Sequence, residues 1–347
     1  MTKDNRRNSS VELLRILLMC MVLILHANKD ILFTYGYDGR DINLMYLRIW
    51  EVLAAVSTDC FVLITGFYSV NSKAINVRRL FDLTFLTCFY GGVLYTIGCI
   101  VGVEQFEIKD LVKCSLPFFF DKCWFINVYL VLYALIPFIN KMISGLTKES
   151  YQSLLLISGV LFSIWPAFLP NAPSTDNGYG IISFVLLYII GAFLRLYTEN
   201  RQSSAMLLGM YLIFSLISLL LFYHSGWTWH WINYNSPFII LASVAMLILF
   251  QKMSFHSKAI NYISQSVIAV FLIHTNQTIR PNIFVKWFAL QNHLHSSLLA
   301  FMPYHIMMVG IIFAVCVALD LLRRFIFSLT YDRMIDGIPM LNRVIEV

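Results

Sequence analysis

Charge is what this chain has least of. Asp, Glu, Lys and Arg make up only 13% of its 347 residues, roughly half the share of an ordinary soluble domain. That scarcity excludes a water-soluble globular protein of this length. Cysteine is sparse too: seven residues, mostly inside apolar runs, with no Cys/His spacing that marks a structural zinc site. No metal is expected. Cys114 and Cys123 share one segment and either pair or stand as free thiols. No dense basic tract accompanies the net charge of +6, so no nucleic-acid partner is expected. Short repeats and low-complexity stretches are absent as well. The first apolar run carries Glu12 and Arg15 and lacks a small-residue cleavage site, which argues against a removable signal peptide. Both tails read as short. The one after Arg324 is a candidate basic segment lying on the membrane surface.

What the chain has in abundance is apolar surface. Hydrophobic residues reach 59% and the mean hydropathy is +0.73. These values predict an all-α integral membrane protein whose partner is the lipid bilayer, built as a single membrane-embedded domain over 1–347. Ten spans are expected, near 10–27, 45–70, 80–103, 124–143, 151–169, 180–198, 204–223, 237–251, 264–282 and 299–321, each close to the length that crosses a bilayer core. With the N-terminus inside, the 25 lysines and arginines divide into sixteen inside, eight outside and one within the membrane. That excess favours both termini being cytoplasmic.

The residue within the membrane is Arg15, eleven positions before His26 in ELLRILLMCMVLILH. At about 100° per residue the two side chains share one helix face, about 16 Å apart along the axis. Charged and polar side chains at that depth cost several kcal/mol unless they meet a partner or a wet cavity. The simpler alternative is an arginine that snorkels to one surface and a histidine that reaches the other. Glu12 and Arg15 are also spaced for a local ion pair. Asp59 lies near mid-membrane and either pairs with Arg15 or bonds a neighbouring helix.

Other segments then fall into place beside this pair. The ELLR opening with the Arg15–His26 spacing, Asp59-Cys-Phe-Val-Leu-Ile-Thr-Gly66-Phe, Trp124-Phe125 with Tyr129, Tyr133 and Pro137, Tyr234-Asn-Ser-Pro237 and Phe271-Leu-Ile-His274 together resemble the membrane acyltransferase-3 family. The resemblance covers nearly the whole chain. It implies a multi-pass O-acyltransferase of the bacterial cytoplasmic membrane, acting on surface carbohydrates. One departure stands out. The family often carries an Arg-x-x-Arg pair at the start of the third span, and here Arg78-Arg79-Leu-Phe-Asp82 puts an aspartate in the second place.

The resemblance implies acetyl-CoA as the acyl donor. Arg15, Arg78 and Arg79 would grip its phosphates, since guanidinium groups match phosphate oxygens well. Topological anchoring is the alternative for the Arg78–Arg79 doublet. His26 would act as general base on a sugar hydroxyl. A carboxylate is expected to orient its imidazole, with Glu51 better placed than Glu12 and Asp59 a further catalytic candidate. Trp124, Asn127 and Asn235 are candidate oxyanion donors, and His274 is expected to line a polar cavity; these four form the expected substrate site. The aromatic stretch His224-Ser-Gly-Trp-Thr-Trp-His230-Trp reads either as a sugar platform or as an interfacial anchor. The expected acceptor is a glycan or lipid-linked saccharide. A transporter or flippase of glycans or small metabolites is the rival class, and the oligomeric state is not legible.

Overall fold

The computed structural model describes residues 8–35, 41–120, 123–169, 172, 176–199, 201–339, 341 and 343–346. The chain is almost wholly helical. Helix α1 (Ser9–Tyr35) opens it, and α2 (Ile42–Ala54) and α3 (Val56–Ser69) form a second crossing interrupted at Ala55. A short strand β1 (Ala74–Asn76) leads into α4 (Val77–Ile100), followed by the amphipathic α5 (Ile108–Ser115) and by α6 (Trp124–Ser144). Next come α7 (Lys148–Gly159), a π-turn and α8 (Trp165–Phe168), then α9 (Ile181–Tyr197), α10 (Ser204–His224) and α11 (Pro237–Lys252). The last elements are α12 (Lys258–Ile263), α13 (Val267–His274), α14 (Leu298–Leu329), α15 (Tyr331–Asp336) and strand β2 (Val344–Glu346).

Polar side chains set several helix starts. Asp41, Asn76, Thr147 and Ser203 each accept a hydrogen bond from a first-turn backbone N–H of the helix that follows. Each satisfies a donor that has no partner inside its own helix. Among the described residues, eight helices are long and apolar enough to cross a membrane. The expected sixth span is a shorter apolar helix of 17 residues, about 25 Å long. The expected ninth span is not one helix at all. It is a 3-10 turn, then the eight residues of α13, then a break at Thr275.

Asn8 donates to the Met253 carbonyl and Arg324 to the Tyr262 carbonyl. The start of α1 and the Arg324 turn of α14 therefore both meet the 253–262 segment. The region after Arg324 differs from the expected surface-lying segment. There α14 runs on to Leu329, Tyr331 stacks on Phe85 at 4.5 Å, and β2 pairs antiparallel with β1. The tail is thus bound to the start of α4. Cys114 and Cys123 are free thiols.

Helix α1 positions the site. It is apolar nearly all round, as a central helix must be, and it packs against α2, α3, α11, α12, α13 and α14. Its Leu14 and Leu18 belong to a core built on α3, α6, α9 and α11. Its Met19, Val22 and Leu23 belong to a second core with α2, α13 and α14. The two cores meet along α1.

Inside the first core, α3 and α9 approach through glycines. A Cβ on Gly66 would lie 2.2 Å from the Tyr188 carbonyl oxygen, and one on Gly191 would lie 2.3 Å from that of Leu63. Helices in lipid gain stability from such close packing, because lipid tails supply no hydrophobic drive between them. Asn140 of α6 locks the lower end of α3. Its amide donates to the Ser69 and Ser72 carbonyls at 2.7 and 2.9 Å, while its oxygen accepts from the Tyr188 hydroxyl at 2.7 Å.

Because both glycines face backbone rather than a movable side chain, Gly66→Ala and Gly191→Ala are each expected to cost about 3 kcal/mol, the upper end for overpacking. Gly209, in α10, has open space where its Cβ would be, so Gly209→Ala is expected to leave stability unchanged or slightly raised. Thermal unfolding of the three variants in detergent checks this, and equal midpoints would contradict the tight α3–α9 contact.

Candidate active site

A cavity of about 320 Å³ opens along the seam between the two cores. Its wall on α1 is Met19, Val22, Leu25, His26 and Lys29, a stripe spanning about 15 Å of helix axis. The cavity changes character along that stripe. At the Met19 end its neighbours are Phe61, Val267 and Ile268. At the Lys29 end it is lined by His26, Glu51, Thr58 and Asn233, with Trp124, Tyr179, Trp229 and Tyr234 as an aromatic wall. Arg15 lies four residues, one helical turn, before Met19 on the same stripe.

The aromatic wall is ordered. The Trp124 ring lies nearly parallel to that of Tyr234, with centroids 6.0 Å apart and planes at 17°, and Tyr179 leans on both at 4.6 and 5.0 Å. Gly178 makes this possible. Its φ of +89° suits a residue without a side chain, and a Cβ there would lie 2.5 Å from that of Tyr234. Burial raises the Tyr179 phenol above its ordinary pKa, so it remains a neutral donor at neutral pH.

His26 occupies the cavity wall with its partner behind it. Its Nδ1 lies 2.8 Å from His274 Nε2, and His274 Nδ1 lies 2.6 Å from the Val270 carbonyl oxygen. His274 is fully buried and not on the cavity wall. It therefore backs His26 instead of lining the cavity as expected. The orienting carboxylate foreseen from sequence is also corrected. Glu51 lines the same cavity, but the group on the His26 imidazole is a second imidazole. Nearby, the Arg280 guanidinium points at the His26 carbonyl at 3.4 Å.

The other expected residues divide. Arg15 bonds Glu12 at 2.6 Å, so the local ion pair forms and the Asp59 pairing does not. Asp59 is fully buried, both of its oxygens lack a hydrogen-bond partner, and it is off the cavity wall. Asn127 and Asn235 are also off the wall, and Asn233 lines it instead. Arg78 is engaged by carboxylates, Asp336 on the tail and Asp82 at 3.7 Å. Asp82 is held in turn by the Tyr331 hydroxyl at 2.9 Å. The aspartate that departs from the family pair thus anchors the tail. Arg79 remains exposed.

The aromatic stretch after His224 is divided between the cavity and contacts within the protein. Trp229 lines the cavity. Trp227 lies under the buried Arg48 guanidinium at 4.2 Å, and His230 is bound to the Ala167 carbonyl at 2.6 Å. Sequence reasoning passed over Lys29, Thr58, Tyr179 and Asn233. Only Lys29 carried a signal, since it stands three residues past His26 on the same helix face.

Residues 8–323 match the acyltransferase-3 family model, which describes an acyltransferase domain. No curated protein and no solved structure matches the chain.

Two glycines with positive φ separate the role of the aromatic wall from simple backbone strain. Gly178→Ala must push into Tyr234 and Asn235, and is expected to cost about 1–3 kcal/mol by overpacking in addition to about 1–2 kcal/mol of left-handed strain. Gly226, with φ of +68°, has nothing within 4 Å of its missing Cβ, so Gly226→Ala should carry the strain alone. Thermal unfolding of both in detergent reads the difference; equal losses would show that the wall does not depend on Gly178.

Proposed function

Because the chain belongs to the acyltransferase-3 family and is a membrane acyltransferase, we propose that it moves an acyl group, acetyl in the simplest case, from a CoA thioester supplied on the Arg15 side to a hydroxyl of a surface or lipid-linked glycan on the His26 side. The observation that carries this reading is the stripe on α1. One helix face bears Arg15, off the cavity wall and paired with Glu12, then an apolar passage along Met19, Val22 and Leu25, then His26 among the polar and aromatic groups of the same cavity. A thioester on a long, mostly apolar arm fits the passage, and its phosphates fit guanidinium groups at the start. In a bacterium that places Arg15 on the cytoplasmic side of the cell membrane and His26 toward the envelope, in keeping with the lysine and arginine bias.

Arg78 is held by Asp82 and Asp336 and Arg15 by Glu12, so the donor grip falls first to the exposed Arg79, with Arg15 joining it once a phosphate displaces Glu12. At the other end, the parallel Trp124 and Tyr234 rings present the apolar faces on which sugar C–H groups pack. Thr58, Tyr179, Asn233 and Tyr234 offer neutral donors among the aromatic rings of the cavity wall. Donors of that kind stabilise a developing oxyanion far better than bulk solvent does.

The chemistry then balances on His26. Its unprotonated ring nitrogen takes the proton of the sugar hydroxyl as the oxygen attacks the thioester carbonyl. The tetrahedral intermediate collapses, the C–S bond breaks, and the leaving thiolate takes the proton back from His26. The products are an O-acyl glycan and free CoA, with no net proton change.

His26→Gln keeps similar size and is expected to lower acyl transfer by about two orders of magnitude or more, the usual scale for losing a positioned general base. Donor binding should stay within about twofold of wild type on the same scale of reasoning. Acylation of isolated glycan by purified protein, read by mass spectrometry, checks this, and a variant that acylates at the wild-type rate would remove His26 from the reaction. Arg15→Gln and Arg79→Gln should each weaken CoA binding and reduce its dependence on salt. Unchanged affinity in both variants would move the donor site elsewhere.

A further inference from the structure

The hydrogen-bond chain behind His26 fixes which of its nitrogens is basic. The Val270 carbonyl can only accept, so His274 Nδ1, at 2.6 Å from it, must carry its proton. A neutral imidazole has one N–H, which leaves His274 Nε2 as an acceptor. His26 Nδ1, 2.8 Å away, must then be the donor. The proton positions propagate in one direction, and the lone pair of His26 is left on Nε2, the nitrogen that remains for the cavity.

We propose that His274 is the positioning residue of the acyl transfer, holding His26 in the Nδ1–H tautomer and sharing the proton that His26 collects. This rests on the reading of His26 as general base. The elements around the pair support such a role. His274 is the last residue of α13, and its ring bonds back to its own helix four residues earlier. That bond fixes the ring without help from any mobile group. The charged groups near His26 are Lys29 on its own helix, Glu51 on α2 and Arg280 just beyond α13. None of them is the hydrogen-bond partner of its Nδ1, so the task of orienting the ring falls to His274.

During the reaction, Nε2 of His26 gains the hydroxyl proton while its Nδ1 proton moves toward His274 Nε2. His274 keeps its own Nδ1 proton on Val270. The positive charge is thereby spread over two rings rather than fixed on one, and both protons return when the thiolate leaves. A neutral imidazole here takes the place that a carboxylate holds in the common catalytic triads. In an apolar bundle the neutral partner avoids the cost of burying an anion.

The test uses the full chain in lipid nanodiscs with two substitutions. His274→Leu removes the acceptor. His274→Gln restores one through its carboxamide oxygen. With glycan and acetyl-CoA as probes, His274→Leu is expected to lower kcat about a hundredfold, on the scale of losing a correctly oriented base, with KM for both substrates nearly unchanged. His274→Gln should recover about tenfold of that loss. Independently of turnover, solid-state NMR of protein carrying 15N-histidine should show His26 with a protonated Nδ1 coupled through the hydrogen bond to an unprotonated Nε2 of His274. The His26→Gln spectrum provides the assignment. A kcat within threefold of wild type in folded His274→Leu, or a His26 ring protonated on Nε2, overturns the proposal. If wild-type protein shows the coupled pair yet acylates no glycan, the acyl-transfer reading fails and the catalytic role of His274 falls with it, while the ring pairing stands on the spectrum.

Discussion

A ring N–H inside a bundle of apolar helices must find an acceptor, because leaving it unpaired costs on the order of 1–3 kcal/mol. The site depends on how His26 meets that demand. Its acceptor is His274, and the acceptor of His274 is the Val270 carbonyl, one turn back along the same short helix. Ending α13 at His274 lets the ring reach His26 across 248 residues of chain. The break that follows, at Thr275, is why no continuous ninth span exists there. Local helix geometry and site geometry are one constraint.

The rest of the fold holds the two rings against each other and keeps a space beside them. Gly66 and Gly191 draw α3 against α9, and Asn140 fixes the end of α3. Helix α1 belongs to both cores, so neither core closes over its His26 face. The cavity lies along the line where they meet. Its outer wall comes from a loop with left-handed backbone at Gly178 and from the segment before α11, the parts of a membrane protein least bound by helix periodicity. Away from the cavity, Arg78, Asp82, Asp336 and Tyr331 latch the tail to the start of α4.

Some of this was legible in the sequence, for stateable reasons. The Arg15–His26 spacing could be read because a helix has a fixed period, and the all-α membrane class because composition alone decides it. Trp124 and Glu51 were found at the cavity because helix ends place residues by depth. The pairing of His26 with His274 could not be read, since depth says nothing about which helices are neighbours. Chemical habit suggested a carboxylate in that place, and the structure holds an imidazole there. Asn235 was chosen where Asn233 lines the cavity, a two-residue error in an irregular segment that has no period to count by. Arg78 looked free because its partner Asp336 is 258 residues away. Asp82, where the family often carries a second arginine, is part of the tail anchor.

The central claim is that acyl groups, and not whole glycans, pass along the His26 stripe. The most direct measurement uses vesicles in which the protein is inserted in one orientation, with acetyl-CoA labelled on its acetyl carbon supplied only on the Arg15 side and glycan supplied only on the His26 side. The label is expected to appear on glycan across the membrane, with CoA released on the side where it was added and with none of this in His26→Gln vesicles. Labelled glycan only on the Arg15 side, or unlabelled glycan crossing the membrane while acetyl-CoA stays intact, would contradict the claim; the second result would make the protein a transporter.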